Sequence, residues 1–337
     1  MGVAISALMT VYNGEPFIAE AIQSVLDQTF ADFELIIVND GSTDETVRII
    51  RQFTDSRIRY MELDIRQGVG GAILEGLKIA TGNYIAKVDA DDIYHKERFA
   101  KQFAILQHHD EIGLVDGLFE YFPDNDVIRQ SDRFTQLRLY GEAENNRIVE
   151  SADISNYLYW FVCLVHSGVM FRRSLLKLST YRPLKVGEDY DLFYRWNKQG
   201  VRMYKIPEVL CYVRVSDSST TVAEKHSIIP LVLELKAAEI DRLFEQCKAV
   251  FIFGTGGLAQ QVYGLLLERG KRISGFIDRD ESKHGSTCMG QPVYGWEQFD
   301  TGASNGVLIA ATPVKFELAA MLEAAGFKHL EQYIVIF

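Results

Sequence analysis

The chain has 337 residues, 47% of them aliphatic, aromatic or cysteine and 24% charged; that is long for one domain and ample for two, each with its own apolar core. Acidic side chains outnumber basic ones 46 to 35, a formal net charge of −11, so the surface repels phosphate backbones and nucleic acid is excluded as a general partner. No apolar run approaches the ~20 residues that span a bilayer, and the four cysteines are scattered without metal-ligand or disulfide spacing, which points to a reducing, cytoplasmic setting.

Strand and helix signals alternate from the start. Val3–Val11 has neither a cationic n-region nor a cleavage site and reads as a buried strand, centred on Ile5–Thr10, rather than a signal peptide. Pro16 then opens a segment whose Phe17, Ile18, Ala21, Ile22, Val25 and Leu26 share one helical face. Glu34–Val38 is a continuous apolar run, typical of a parallel strand covered on both sides. It ends in Asn39-Asp40-Gly41, where Ser42 and Glu45 form a capping box for the next helix. Arg57–Glu62 is a third strand, Gly70–Ala80 a helix, and Tyr84–Val88 a strand running into Asp89-Ala90-Asp91-Asp92. This order predicts an open, mostly parallel sheet.

The pattern loosens from Ile93 to Val165: one helix fits Lys96–His108, and Tyr121–Tyr159 is polar, aromatic and irregular, as an acceptor-facing insertion would be. Regularity returns at His166–Phe171 and in a helix at Asp189–Lys198. A long apolar helix, Ile228–Cys247 with Pro230 in its first turn, closes the first domain. A second series follows, with strands at Ala249–Phe253, Ile273–Ile277, Gly306–Ala310 and Tyr333–Ile336 and helices at Gly257–Arg269 and Lys315–Ala325.

In open α/β sheets ligands bind beyond the carboxyl ends of the strands. Three polar clusters fall there: Thr10–Asn13, Asn39–Ser42 and Asp89–Asp92. Each alone reads as turn chemistry or a solvated acidic loop. Converging on one rim, with two carboxylates flanking a small residue, they suit Mg²⁺ or Mn²⁺ under a diphosphate, because such ions take one or two protein carboxylates and complete their shell with phosphate and water.

Three stretches carry a resemblance. SALMTVYNGEPFIAEAIQSVLDQTFADFELIIVNDGSTDET, GVGGAILEGLKIATGNYIAKVDADD, and HSGVMFRRSLL followed by GEDYDLFYRW resemble, in order, the opening, the donor helix with its DxD motif, and the acceptor strand with its ED motif of family 2 glycosyltransferases with the GT-A fold. The likeness covers about the first two-thirds of the chain. It implies an inverting, metal-dependent enzyme that moves a sugar from a nucleotide-diphosphate donor, a UDP-sugar for preference, to a glycan or lipid-linked acceptor in bacterial surface polysaccharide synthesis. By the same resemblance Thr10, Tyr12 and Glu15 line the nucleotide pocket, Asp40 bonds the base, Gly68 lets the nucleotide approach, and Asp89 meets the ribose. Asp91 holds Mn²⁺ or Mg²⁺, Asp189 is the catalytic base and Glu188 stands beside it. Arg214 lies where the family often has Arg-x-His near the diphosphate; here the third position is Ser216, so leaving-group stabilisation rests on the metal and Arg214. For Glu188 and Asp189 the bland reading is a helix start that favours acids through its dipole. His166 and the aromatic run Tyr157–Phe161 could face the acceptor, although such groups are more commonly core.

Near the C-terminus Gly254-Thr-Gly256-Gly257 follows a strand and opens a helix, and Asp278 ends the next strand, the Rossmann-type fingerprint in its proper context. The segment resembles the nucleotide-sugar-binding domain of sugar acyltransferases, without their β-helix. A docking or dimerisation module is the equal alternative.

The expected architecture is α/β: a GT-A nucleotide-diphospho-sugar transferase domain (1–224), a helical connector (225–247) and a smaller Rossmann-like domain (248–337), cytoplasmic, compatible with peripheral association at the inner membrane face and with a homo-oligomer. Two rivals are an NAD(P)-linked sugar-modifying enzyme using the C-terminal domain, and a non-catalytic nucleotide-sugar-binding scaffold. The first lacks a hydride-transfer partner; the second need not retain both Asp91 and Asp189.

Overall fold

The computed structural model describes residues 2–217, 228–301 and 304–336. These fall into two compact units, one of residues 2–158 and 162–217, the other of 159–161 with the chain from 228 onward. The expected boundary at 224/225 lies outside the described residues.

In the first unit β1 (Ile5–Val11), β2 (Phe33–Asn39), β3 (Ile58–Glu62) and β4 (Tyr84–Asp89) form the parallel half of an eight-stranded sheet. Helices α1 (Ile18–Leu26), α2 (Thr46–Ile50) and α3 (Gly68–Ile79) connect them. Every residue of β2 is buried, as the apolar run requires. Alternation sends Ala7, Met9, Leu35, Ile37, Ala86 and Val88 into the main core and leaves Leu8, Val38, Lys87 and Asp89 on the opposite face. There α3 approaches closely at Gly76, where a Cβ would stand 2.3 Å from Leu8 Cδ1.

Two features differ from expectation. No capping box forms: Ser42 Oγ accepts from Asn13 N instead, and α2 begins only at Thr46, whose N–H donates to Asp44 Oδ1. The loosely patterned region holds two long strands, β6 (Ile112–Pro123) and β8 (Arg202–Val215), which pair in parallel. Around them lie β5 (Ile93–Tyr94), α4 (Arg98–His108) and β7 (Met170–Arg172), with β7 antiparallel to β4 and β6. The insertion after β6 is helical rather than irregular: α5 (Asp126–Arg129), α6 (Asp132–Gln136), a π-turn at Leu137–Glu142, α7 (Ala143–Asn146) and α8 (Ser151–Leu158). Helix α9 (Glu188–Lys198) opens after Gly187, which takes φ +75°.

In the second unit the long apolar helix is two, α10 (Ile228–Leu235) and α11 (Ala237–Gln246), separated at Lys236. The buried Lys236 ammonium donates to the carbonyls of Trp160, Val335 and Ile336. Then come β9 (Ala249–Phe253), α12 (Gly257–Glu268), β10 (Gly275–Ile277), β11 (Thr287–Cys288), β12 (Gln291–Tyr294), β13 (Asn305–Ile309), α13 (Lys315–Ala324) and β14 (Tyr333–Val335). Strands β12-β10-β9-β13-β14 run parallel in that order, the doubly wound arrangement with its switch point between β9 and β13. Trp160 is buried here against Phe316, His329 and Tyr333, so this aromatic is packing material and not a sugar platform.

Candidate active site

The carboxyl ends of β1, β2 and β4 lie side by side, and Thr10 pairs directly with Asp89. The turns after β1 and β2 are stitched together. Asn13, in the left-handed region at φ +52°, donates its N–H to Ser42 Oγ and accepts from Thr43 N at 2.8 Å. Gly14 N donates to Thr46 Oγ1 and Glu15 N to Asp44 Oδ2. Glu15 answers with its own carboxylate, which accepts from Glu45 N at 3.2 Å, so it secures the rim rather than standing free beside it. Tyr12 is exposed, and the Arg66 guanidinium lies over its ring, 3.7 Å from the centroid.

Asp40 is buried, and its two oxygens accept from Gln67 N at 2.6 Å and Gly68 N at 2.8 Å. The β2 end thereby caps α3, leaving each oxygen one further lone pair. Gly68 itself takes φ +77° with open space where a Cβ would be, so backbone geometry demands the glycine and a ligand can approach it.

Asp89, Asp91 and Asp92 each place a carboxylate oxygen within 4.8 Å of the others, yet their surroundings differ. Asp89 Oδ1 is paired with the buried Lys87 ammonium; burial alone would raise this carboxyl, and the lysine charge overrides it and holds the group below its ordinary range. Asp92 accepts from Ser167 Oγ at 2.6 Å and from Arg214 N at 2.9 Å, but burial and the charges of Asp91 and Asp89 push it well up. The Asp91 carboxylate accepts no hydrogen bond from another residue among those described, and burial followed by the Asp89 charge lifts it to about 6. A desolvated carboxylate beside two others is a site short of positive charge, the electrostatic condition a divalent ion satisfies.

Arg214 does not reach outward. Its guanidinium is sandwiched between Phe17 and Phe122, 4.5 and 4.4 Å from the ring centroids. Nε donates to Asp91 O at 2.8 Å, and the terminal nitrogen pairs with Glu20. It braces the acidic loop.

Across the site stands the start of α9. Asp189 is partly buried, its Oδ1 accepts from Tyr190 N at 2.7 Å, and burial, then the Glu188 charge, raises its carboxyl to about 6. Glu188 Oε1 lies 3.5 Å from His166 Nδ1, and His166 Nε2 lies 2.9 Å from the Tyr181 hydroxyl. His166 faces Glu188, and its neighbour Ser167 donates to Asp92 at 2.6 Å, so these adjacent residues join the acidic loop to the start of α9.

The profile of Glycosyl transferase family 2 matches residues 6–178. The chain belongs to that family. The putative glycosyltransferase EpsE of Bacillus subtilis (strain 168) is 30% identical to this glycosyltransferase over 220 residues, 63% of this chain and 73% of EpsE. The Escherichia coli UDP-Glc:alpha-D-GlcNAc-diphosphoundecaprenol beta-1,3-glucosyltransferase WfgD is 34% identical over 124 residues, 37% of this chain; the match spans about half of WfgD (49%). Among solved structures the fold is similar to S. aureus TarS 1-349, with a TM-score of 0.55 at 19% identity over 71% of this chain and 66% of that one. It is also similar to the mannosyltransferase PcManGT from Pyrobaculum calidifontis in complex with GDP-Man and Mn²⁺, with a TM-score of 0.53 at 19% identity over 72% and 65%. Among the described residues of this glycosyltransferase no helix is long and apolar enough to cross a membrane.

Sequence reasoning missed several groups that shape this glycosyltransferase site: Lys87, Ser167, Tyr181, Arg66 and the Phe17–Phe122 pair. Lys87 alone left a signal, because a lysine two residues before an aspartate on one strand lies on the same face, roughly 7 Å away and within side-chain reach. In the second unit of the glycosyltransferase Gly254 takes φ +108°, and open space surrounds the Cβ positions of Gly256 and Gly257. Asp278 is already engaged: Thr255 Oγ1 and Lys283 Nζ both donate to its Oδ2. Burial opposes ionisation there, and these bonds win, holding the carboxyl low.

Proposed function

We propose that this glycosyltransferase transfers one sugar, with inversion, from a nucleoside-diphosphate donor, a UDP-sugar for preference, to a glycan or lipid-linked acceptor in bacterial surface polysaccharide synthesis. The observation that carries the reading is the placement of Asp189, a carboxyl raised to about 6, at the head of α9, which adjacent His166 and Ser167 join to the acidic loop. Such a group is mostly ionised at neutral pH and more basic than an ordinary aspartate, which suits a general base.

Thr10, Tyr12, the remaining lone pairs of Asp40 and the open backbone at Gly68 receive the nucleoside, and Asp89 turns its free oxygen to the ribose. Mn²⁺ or Mg²⁺ held by Asp91 supplies Lewis-acid stabilisation of the departing diphosphate. The acceptor hydroxyl oxygen attacks the anomeric carbon from the side away from the diphosphate. Its proton passes to an Asp189 oxygen, and the sugar–phosphate C–O bond breaks with its electron pair leaving on the nucleotide. One displacement inverts the centre. Glu188 contributes its charge, which raises the basicity of Asp189, and Arg214 acts by bracing the loop of Asp91. Binding of a UDP-linked sugar by S. aureus TarS and of GDP-Man with Mn²⁺ by PcManGT supports the donor class and the ion, and WfgD supports a diphospholipid acceptor.

Asp189→Asn tests the base. Transfer from a UDP-sugar should fall by ~100-fold or more while calorimetric affinity for UDP stays within about twofold of wild type. Retained turnover would place the base elsewhere.

A further inference from the structure

A buried lysine inside a strand is costly unless something requires its charge. Lys87 is 1% exposed. Its ammonium donates to Val88 O at 2.9 Å and to Asp89 Oδ1. The backbone around it is fixed by the pairing of β4 with β1 and by Lys87 N donating to Val169 O at 3.0 Å. Asp92 is tied on both oxygens, to Ser167 and to the Arg214 N–H. Three carboxylates converge within 4.8 Å, but only Asp91 faces the site without a donor from another residue.

We infer that Lys87 is an internal counter-ion that withholds Asp89 from the metal, so that the divalent ion binds effectively only together with the donor diphosphate. An ammonium and a divalent ion compete for the same carboxylate oxygen. With the lysine charge offsetting that of Asp89 and both Asp92 oxygens already accepting, Asp91 is the one carboxylate of the three left unengaged, too few for tight binding of a hard cation by the protein alone, and the phosphate oxygens of the donor complete the shell. Metal and nucleotide affinities are therefore strongly coupled, and the coupling is reciprocal. The inference rests on the metal–diphosphate reading above.

The test is Mn²⁺ binding to the full chain by electron paramagnetic resonance, with and without saturating UDP. Wild type should bind Mn²⁺ alone with a dissociation constant above roughly 1 mM and at least ~30-fold more tightly with UDP. Lys87→Met, similar in length and uncharged, should tighten binding of Mn²⁺ alone by ~10-fold, and Lys87→Met/Asp89→Asn should abolish that gain. Micromolar binding of Mn²⁺ alone to wild type overturns the inference, whether or not the variants fold. So does an unchanged metal affinity in a cooperatively folding Lys87→Met protein. If Asp91→Ala leaves UDP-dependent Mn²⁺ binding intact, the metal reading itself fails and takes this inference with it. Loss in Asp91→Ala beside no gain in Lys87→Met removes the inference alone.

Discussion

The hydroxyl of Tyr181 lies 2.9 Å from Nε2 of His166. Burial, aided by the charges of Glu188, Asp189 and Asp89, pushes the Tyr181 phenol well above its usual range, so it stays protonated. The imidazole shares a hydrogen bond with the phenol at Nε2, and its Nδ1 faces Glu188 Oε1 at 3.5 Å. One phenol thus fixes the orientation of the ring beside the acids of α9.

Tyr181→Phe should lower kcat for transfer by roughly 10-fold, the scale of one oriented hydrogen bond, with donor KM unchanged. Steady-state kinetics at varied donor concentration separate the two. A rise in KM alone would show that Tyr181 serves donor binding instead.

The raised carboxyl of Asp189 has opposite consequences for activity and stability. As a base it works only when ionised, so kcat should climb through pH ~6 and level off above it. Its folded-state value of about 6 exceeds the ordinary 3.8, so the folded state binds the proton more tightly than the unfolded chain does. The stability it contributes is complete below pH ~3.8 and is lost as pH rises through 6. Asp189→Asn should therefore melt above wild type at pH 8 and level with it near pH 3.8, while transfer falls by the ~100-fold or more expected for loss of the base. Matched melting curves at the two pH values check the sign.

Arg214 holds the acidic loop through a ring sandwich and one carbonyl. Arg214→Ala removes two cation–π contacts and the bond to Asp91 O and should cost about 2–3 kcal/mol in urea unfolding. Arg214→Lys retains charge but not the flat stack, and should recover less than half of that loss. Full recovery would mean that the ion pair to Glu20 is the important contact.

The glycine turn of the second unit offers N–H groups at the start of α12 with room beside them. If it receives a nucleotide, amide shifts on addition of UDP-sugar, UDP or NAD to the full chain should centre on Gly256, and Gly256→Val should erase them. Lys283→Ala should then alter the affinity, because Lys283 shares Asp278 with any ribose. Silence at millimolar ligand would make the unit a docking module.

Strands β1, β2 and β4 were legible because they are buried on both faces and their sequences are mostly apolar; β2, buried along its whole length, is the clearest case. Strands β6 and β8 were not. Register shifts at Gly117/Leu118 and Leu118/Phe119 break their alternation, and Pro207 and Glu208 interrupt β8 where the shift occurs. The candidate acids Asp40, Asp89, Asp91 and Asp189 were legible through motif order, whereas the partners of the acidic groups come from distant segments: Gln67 on Asp40, Ser167 and the Arg214 N–H on Asp92, and His166 near Asp189. Local sequence spacing cannot reveal a hydrogen bond across 75 residues, such as Ser167 to Asp92. The failed capping box has the same origin, since Ser42 had an alternative donor in Asn13 that only the folded rim supplies.

The stitching of the turns after β1 and β2 has a kinetic corollary. Asn13, Gly14 and Glu15 lie in an irregular segment at the protein surface, where amides ordinarily exchange with solvent deuterium within seconds, yet each N–H is committed to a side chain some thirty residues away. They can exchange only when both turns part together, as one cooperative opening. The stitched rim should accordingly behave as a preset mould: if it receives the donor, adaptation to different nucleotides falls to the exposed Arg66–Tyr12 pair, and diversification among close relatives should collect there and spare the stitched residues.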